Sequence, residues 1–220
     1  MKVTLVSSSE PSKELVAQGI VNAQELVAYC ARVSNPANQT NTDTSEKLIR
    51  YLIKHRHWSP LEMVSACLEI ETTRDIARQI LRHRSFSFQE FSQRYAVADL
   101  GIELKEARLQ DTKNRQNSLE NTDNDLAMRW ALKQQRAADV AQDSYDWAIK
   151  HGIAKEQARA VLPEGLTVSR LYMQGTLRSW LHYIELRSGP ETQKEHREVA
   201  LACAQALKTI FPMVTEFLVK

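Results

Sequence analysis

A basic and aromatic segment, RHRSFSFQEFSQRY at positions 82–95, carries the side chains best suited to bind an anionic ligand. It places Arg82, His83, Arg84 and Arg94 within thirteen residues. Guanidinium groups bind phosphate in a bidentate manner, and the serines and glutamines of the segment add neutral donors. Its three phenylalanines and one tyrosine offer faces that stack on rings. The segment predicts a site for a nucleotide-like ligand, with a solvated basic turn as the alternative.

The charge of the whole chain narrows the class of partner. The formal net charge is only +2 over 220 residues. A general nucleic-acid binder is usually far more basic, so anion binding here must come from local clustering. RNA recognition by base stacking is a second interpretation of the segment, and the low net charge weakens it. We expect no nucleic-acid partner.

The cysteines and the lengths of the apolar runs indicate the cellular compartment of the protein. Cys30, Cys67 and Cys203 lie far apart and lack the paired spacing of a zinc or redox site, so we expect buried free thiols and no metal. Free thiols are typical of a reducing compartment. The chain has neither an apolar run of about eighteen residues nor a secretory signal. These features predict a soluble cytoplasmic protein without a membrane partner.

A covalent mechanism through Ser92 is the chemical competitor to simple ligand binding. A serine nucleophile needs an adjacent base, and the nearest histidine, His83, is nine residues away. The cysteines also lie outside any basic cluster that would favour a thiolate. We therefore expect Ser92 to contact phosphate.

The elements that must position this segment are predicted from periodicity. Alternation predicts strands at 2–7 and 63–71, the second with Val64, Ala66, Leu68 and Ile70 on its buried face. Helical spacing predicts helices at 22–34, 43–57 and about 73–83. The second of these begins with a capping box formed by Asp43 and Glu46. The basic segment should thus leave the end of a helix as a loop.

The second half of the chain reads as mostly helical. Positions 109–125 are polar and predict a long surface loop. Helices are expected at 126–150, 155–162, 167–186 and 192–207, with a short one at the C-terminus. In the first of them, Met128, Leu132, Val140 and Trp147 carry the apolar periodicity, and Gly152 caps its end. The fold class is α/β (α+β), a helix-rich single domain at 1–220 with a small, mostly antiparallel sheet.

Several motifs together carry a family resemblance. The RHR triplet is followed after seven residues by Ser92, with Glu90, Arg94 and Tyr95 in register. Matching motifs elsewhere are CARVS (30–34), HRHWSPLE (55–62), ARQ (77–79), LPEGL (162–166), TLRSWLHYIELR (176–187) and QKEHREVA (193–200). This set, in order over most of the chain, resembles the flavin-dependent thymidylate synthases. The resemblance implies reductive methylation of dUMP to dTMP, with 5,10-methylenetetrahydrofolate as carbon donor and NADPH as reductant through FAD.

The same motif matches imply a set of site residues. The FAD contacts implied are Ser59, Arg82, His83, Arg84, Glu90, Thr176, Leu177, Arg178 and His182. The dUMP contacts implied are Gln79, Ile80, Leu81, Arg82, Glu90, Phe91, Ser92, Gln93, Arg94, Arg159 and Arg187. Arg187 resembles the activating arginine, whose guanidinium stabilises negative charge in the pyrimidine ring and raises nucleophilicity at C5. The family also implies a homotetramer with sites shared between subunits.

Two alternatives from other classes stay open at this point. One is a nucleotide-binding or RNA-binding module that kept the site and lost turnover. The other is a cysteine-dependent methylase that works without flavin. A colourless protein would favour the first, and inactivation by thiol alkylation would favour the second.

Overall fold

The structure of the protein is a computed structural model that describes residues 1–218. Its strands are β1 (Lys2–Ser8), β2 (Ser65–Thr73), β3 (Ser87–Glu90), β4 (Leu109–Gln110), β5 (Ser118–Leu119) and β6 (Val168–Thr176). Its α-helices are α1 (Lys13–Val16), α2 (Ala23–Ala31), α3 (Ser45–Lys54), α4 (Arg74–Ile80), α5 (Asn124–Lys150), α6 (Lys155–Ala158), α7 (Leu177–Arg187) and α8 (Lys194–Leu207). Short 3₁₀ turns cover Pro36–Asn38, Ser59–Glu62, Arg159–Val161 and Pro212–Phe217. The predicted helix-rich fold with a small antiparallel sheet is confirmed.

The main sheet has four strands in the order β1, β2, β6, β3, and every neighbouring pair is antiparallel. Its central pair, β2 and β6, is in register from Ser65 opposite Thr176 to Thr73 opposite Val168. The predicted alternation of β2 is confirmed, because Ala66, Leu68 and Ile70 are buried. Helices α4, α7 and α8 pack against this sheet, and their apolar side chains join its buried residues in the main core.

The predicted helix at 167–186 is wrong in its first half. Positions 168–176 form the central strand β6, and only Leu177–Arg187 is helical. The burial of β6 alternates, with Ser169, Leu171 and Met173 inward, which is the period of a strand. Thr176 then ends the strand and caps α7, because its side chain accepts a hydrogen bond from the Ser179 N–H.

The segment after α4 is also more regular than the predicted loop. Helix α4 ends at Ile80, so Arg82 and His83 lie beyond it and not in its last turn. Residues Ser87–Glu90 then form β3 at the edge of the sheet. The Phe91 N–H donates to the Arg170 carbonyl at 2.8 Å and extends this pairing. The basic segment is thereby fixed to the sheet at its centre.

Helix α5 is present as predicted, but its apolar positions face outward. Met128, Leu132, Val140 and Trp147 are each more than half exposed. The side chains buried instead include Gln134, Ala138 and Tyr145. Gly152, at φ 76°, ends the helix in the left-handed conformation expected there.

Other boundaries shift by a few residues. Helix α3 begins at Ser45 with Thr44 as its N-cap and without a side-chain cap bond, so the capping box at Asp43 is wrong. The predicted helix at 155–162 is divided into α6 and a 3₁₀ turn. The polar segment at 109–125 includes the two-residue strands β4 and β5, which form a small hairpin. Within residues 1–218, no helix combines the length and apolarity that crossing a membrane requires.

Candidate active site

The end of α7 meets the residues that follow α4. There the Arg187 Nε–H donates to His83 Nε2 at 2.9 Å. The His83 ring also packs edge-on against Tyr183, with ring centroids 4.9 Å apart. Burial and the nearby Arg187 charge lower the pKa of His83 to about 4. His83 is therefore neutral at pH 7, and the terminal nitrogens of Arg187 remain available for another group.

A buried histidine lies below this pair. His196 on α8 is fully buried, with Nε2 3.1 Å from the Tyr183 hydroxyl and Nδ1 3.2 Å from Gln79 Oε1. Burial, followed by the charge of Arg187 and the proximity of His83, lowers the pKa of His196 to about 3. Burial also raises the pKa of the Tyr183 phenol. His83, Tyr183 and His196 are consequently all uncharged near neutral pH.

Glu90 is the acceptor of a second cluster, at the end of β3. Its Oε1 accepts from the Ser169 hydroxyl at 3.0 Å and lies 3.6 Å from Arg74 Nη1. Arg78 Nη1 lies 3.8 Å from the other oxygen. Both arginines also pair with Glu164, at 3.0 Å for Arg74 and 3.6 Å for Arg78. Because the Arg74 side chain is only 6% exposed, it is the central cation of this cluster.

The predicted contacts at 92–94 lie near the turn after α6. Arg94 Nε is 3.3 Å from Glu156 Oε2 in an exposed ion pair. The Ser92 hydroxyl accepts from the Arg94 N–H at 3.3 Å, and Gln93 is buried. Arg159 begins the 3₁₀ turn after α6 and is half-buried. No side chain that could act as a base contacts Ser92 in the described part of the chain, so it has no means of activation there.

The two remaining predicted dUMP residues after Gln79 are less accessible. Ile80 is fully buried in the core, and Leu81 is half-buried. Ile80 could therefore reach a ligand only through its main chain.

Several predicted FAD residues gather at the other end of α7. Arg178 forms an ion pair with Glu62, and the His182 ring lies against Trp58 with centroids 4.4 Å apart. Ser59 is exposed at the start of the adjacent 3₁₀ turn. Imidazole, indole and guanidinium groups are thus brought together beside the first turns of α7.

The remaining FAD residues connect these groups to the basic segment. Thr176 caps α7, and Leu177 is 1% exposed. The Ser179 hydroxyl donates to the Ser85 carbonyl at 3.1 Å and fixes the loop that carries Arg82 and Arg84. Both arginines are exposed, and neither has an ion pair or side-chain hydrogen bond among residues 1–218.

The sequence of the chain is similar to those of proteins from one family. The sequence profile described as "Thymidylate synthase complementing protein" matches residues 14–213. The chain is 46% identical over 218 residues to a "Probable flavin-dependent thymidylate synthase" of Paramecium bursaria Chlorella virus 1, with 99% of each chain covered. It is 50% identical over 216 residues to the "Flavin-dependent thymidylate synthase" of Synechocystis sp., with 97% of each covered. This chain belongs to the flavin-dependent thymidylate synthase family.

Solved structures agree with this family assignment. The UMP/dUMP methylase PolB from Streptomyces cacaoi bound with 5-Br dUMP has a TM-score of 0.82 and 28% identity, covering 98% of this chain and 93% of that one. PolB bound with 5-Br UMP has the same TM-score and 27% identity, with 98% and 92% covered. The fold of this thymidylate synthase family member is thus shared with a nucleotide methylase.

The donor set of this family member fits FAD. Arg82 and Arg84 are exposed cations that flank the neutral His83, and no carboxylate of the described chain neutralises them. Two adjacent guanidinium groups suit a diphosphate. His182 shares a face of α7 with Arg178, and its ring and the Trp58 ring packed against it provide flat surfaces.

Aromatic stacking by the basic segment needs correction. Phe86 and Phe88 pack against the core instead of facing outward, and Phe86 meets Trp180 edge-on at 4.8 Å. The Phe86 ring also covers Gly175, where an added Cβ would lie 2.4 Å from it. Tyr95, in contrast, is 81% exposed. Phe86 and Phe88 hold the segment on the sheet.

The prediction that the cysteines are buried needs a smaller correction. All three cysteines are free, but only Cys203 is buried, since Cys30 and Cys67 are half-buried. Burial raises the pKa of each thiol, so none is poised as a thiolate. Among residues 1–218, no three His, Cys, Asp or Glu side chains are grouped to bind a metal.

Sequence reasoning missed part of the cluster around Arg187. Neither His196 nor Tyr183 was among the residues predicted from the sequence. One signal was available, because Tyr183 lies four residues before Arg187 and therefore on its side of α7. His196 shares the buried face of α8 with Ala200 and Cys203, where an ionisable group is uncommon.

Proposed function

We propose that this protein is a flavin-dependent thymidylate synthase that converts dUMP to dTMP. The observation that carries the proposal is its 46% and 50% identity, over nearly the whole length, to proteins named for that activity. The methylene of 5,10-methylenetetrahydrofolate supplies the carbon, and bound FAD supplies the reducing equivalents taken from NADPH. The chain's own residues bind, orient and polarise the nucleotide.

Arg187 is the proposed activating residue. Its Nε–H is already bound to neutral His83, which fixes the plane of the guanidinium. The terminal N–H groups would donate to a carbonyl oxygen of the pyrimidine and to N3 in its deprotonated form, and would stabilise the negative charge of the ring. C5 of the ring would then act as the nucleophile without a covalent bond to the enzyme. The raised thiol pKa values of the cysteines support this non-covalent course.

The remaining contacts are proposed by motif. Arg82, Glu90, Ser92, Arg94 and Arg159 would bind dUMP together with the residues from Gln79 to Leu81. Arg82 would also contact FAD, together with Arg84, Arg178 and His182. Support for the second set comes from the two unneutralised guanidinium groups at Arg82 and Arg84.

We further propose a homotetramer with sites shared between subunits. The outward apolar side chains of α5, among them Leu132 at 53% and Val140 at 68% exposure, form a stripe that a second copy of this chain would cover. Light scattering should give about four times the chain mass of 25.2 kDa. A monomer mass for the FAD-loaded protein would contradict this assembly.

The cytoplasm is the proposed location. It is supported by three cysteines that are all free, as is usual in a reducing compartment.

The proposed function is tested by colour and by coupled turnover. The purified protein should be yellow with a flavin spectrum, and dUMP should accelerate its oxidation of NADPH. UMP serves as the matched control, because PolB is a methylase of UMP and dUMP. A protein that cannot be loaded with FAD would contradict the proposal. Equal stimulation by UMP would move the assignment toward a UMP/dUMP methylase.

A further inference from the structure

A continuous row of side-chain hydrogen bonds runs from the core to the surface below Arg187. The Tyr183 hydroxyl lies 3.1 Å from His196 Nε2, and His196 Nδ1 lies 3.2 Å from Gln79 Oε1. Gln79 Nε2 donates to Gln193 Oε1 at 2.8 Å. Gln193 Nε2 then donates to Glu195 Oε2 at 2.9 Å. The row joins α4, α7 and α8 through one buried imidazole.

The carboxylate at the end of the row sets its direction. Glu195 Oε1 accepts from Arg108 Nη2 at 2.5 Å, and both side chains are largely buried. Burial raises the pKa of Glu195, but hydrogen bonds from Arg108, the backbone and Gln193 outweigh it and lower the pKa overall. An ionised carboxylate only accepts hydrogen bonds, so the amide NH₂ of Gln193 must face it. The Gln193 carbonyl oxygen then faces Gln79.

The same reasoning fixes every member of the row in turn. The Gln193 carbonyl requires the NH₂ group of Gln79 on its side, which leaves the Gln79 carbonyl facing His196. His196 Nδ1 must then carry a hydrogen and donate it. Because burial lowers the pKa of His196 to about 3, the ring is neutral, and Nε2 therefore accepts from the Tyr183 hydroxyl. If the two glutamine amides were flipped, the carbonyl oxygen of Gln193 would face the carboxylate of Glu195, and two acceptors would meet.

We propose that His196 is a positioning residue that fixes Gln79 as a hydrogen-bond donor toward the bound nucleotide. Gln79 is half-buried at the last turn of α4, and its amide has a second N–H that the row does not use. That N–H suits an acceptor, such as a phosphate or carbonyl oxygen. A flipped amide would present its own carbonyl oxygen and repel the nucleotide. The inference rests on the proposed use of dUMP as substrate.

The tautomer of His196 tests the direction of the row without any turnover. In the FAD-loaded protein labelled with ¹⁵N-histidine, His196 should show a protonated Nδ1 and an unprotonated Nε2 at pH 7. The assignment is made by loss of the signal in His196→Asn. A His196 ring protonated at Nε2, alone or at both nitrogens, would overturn the inference.

Two matched variants of His196 test the effect on the nucleotide. His196→Asn keeps a donor at the position of Nδ1, whereas His196→Gln keeps only the partner of Tyr183. We expect His196→Gln to raise the Kd and KM for dUMP about tenfold, as for the loss of one oriented hydrogen bond, and His196→Asn to raise them less than threefold. The KM for NADPH and the FAD content should change less than twofold in both.

A surface variant protects the test against misfolding. Gln193 is exposed, and Gln193→Leu removes the partner of the Gln79 NH₂ group without opening the core. It should raise the Kd for dUMP about fivefold. Equal dUMP affinity in wild type and all folded variants would overturn the inference alone. If the dUMP affinities of the variants follow this pattern but the wild-type protein forms no dTMP, only the proposed function is overturned.

Discussion

The Gly175→Ala substitution should displace the basic segment through one ring. The new Cβ would lie 2.4 and 2.6 Å from two carbons of Phe86, whereas carbons in contact lie about 3.5 to 4.0 Å apart. The ring must therefore move by roughly 1 Å. It cannot do so freely, because the Phe86 ring is packed edge-on against two others, with its centroid 4.8 Å from that of Trp180 and 6.0 Å from that of Tyr183. Overpacking of this kind destabilises by about 1 to 3 kcal/mol.

The assay combines unfolding with flavin loading. For a chain of this size the melting temperature should fall by about 2 to 12 °C. The FAD content should also fall, since Phe86 follows directly after Arg82 to Ser85. Phe86→Leu makes room for the added methyl group, so the double variant should be more stable than the sum of the two single effects by about 1 kcal/mol. Strict additivity, or an unchanged FAD content in Gly175→Ala, would refute the steric argument.

Three further predictions concern charged and titratable groups. Arg187→Ala should reduce dTMP formation at least about a hundredfold, while more than half of the FAD is retained. The pKa of His83, followed by NMR titration, should rise because the Arg187 charge is gone. Equal loss of FAD would contradict the assignment of Arg187 to dUMP. Lowering the pH from 7 toward 4 should reduce the free energy of unfolding in urea, because unfolded His83 and His196 bind protons near pH 6.5 that the folded groups do not. The slope should be at most about 1.4 kcal/mol per pH unit for each histidine, and a flat profile would refute it. Arg74→Met should destabilise by about 3 to 5 kcal/mol in the same assay, and the exposed Arg78→Met by about 1 kcal/mol or less; similar effects would contradict the buried role of Arg74.

Strand β2 shows what the sequence alone can predict about the fold. Its alternation survives because one face packs on helices and the other remains half-exposed. The segment that forms strand β6 was predicted as part of a helix, although the burial of its side chains alternates as regularly as in β2. Its partner β2 lies about a hundred residues earlier, and no local pattern reports that pairing. Helix α5 illustrates the same limit. Its apolar periodicity predicted the helix correctly, but the sequence did not indicate that these side chains point outward.

The candidate site divides along similar lines. Motifs identified Arg187, His83 and Glu90 as single residues, since each lies in a recognisable stretch of sequence. Their partners depend on tertiary structure. Ser169 reaches Glu90 only because β3 pairs with β6, and His196 reaches Gln79 only because α8 packs beside α4. Such contacts between distant segments leave no spacing signal in the chain.

Transfer of a labelled carbon tests the central claim most directly. FAD-loaded protein is incubated with dUMP, NADPH and 5,10-methylenetetrahydrofolate that carries ¹³C in its methylene group, and the nucleotide is analysed by mass spectrometry. We predict dTMP with ¹³C in its methyl group, formed only when FAD and NADPH are both present. Unlabelled dTMP, labelled dTMP formed equally well without flavin, or no dTMP from the yellow protein would contradict the account.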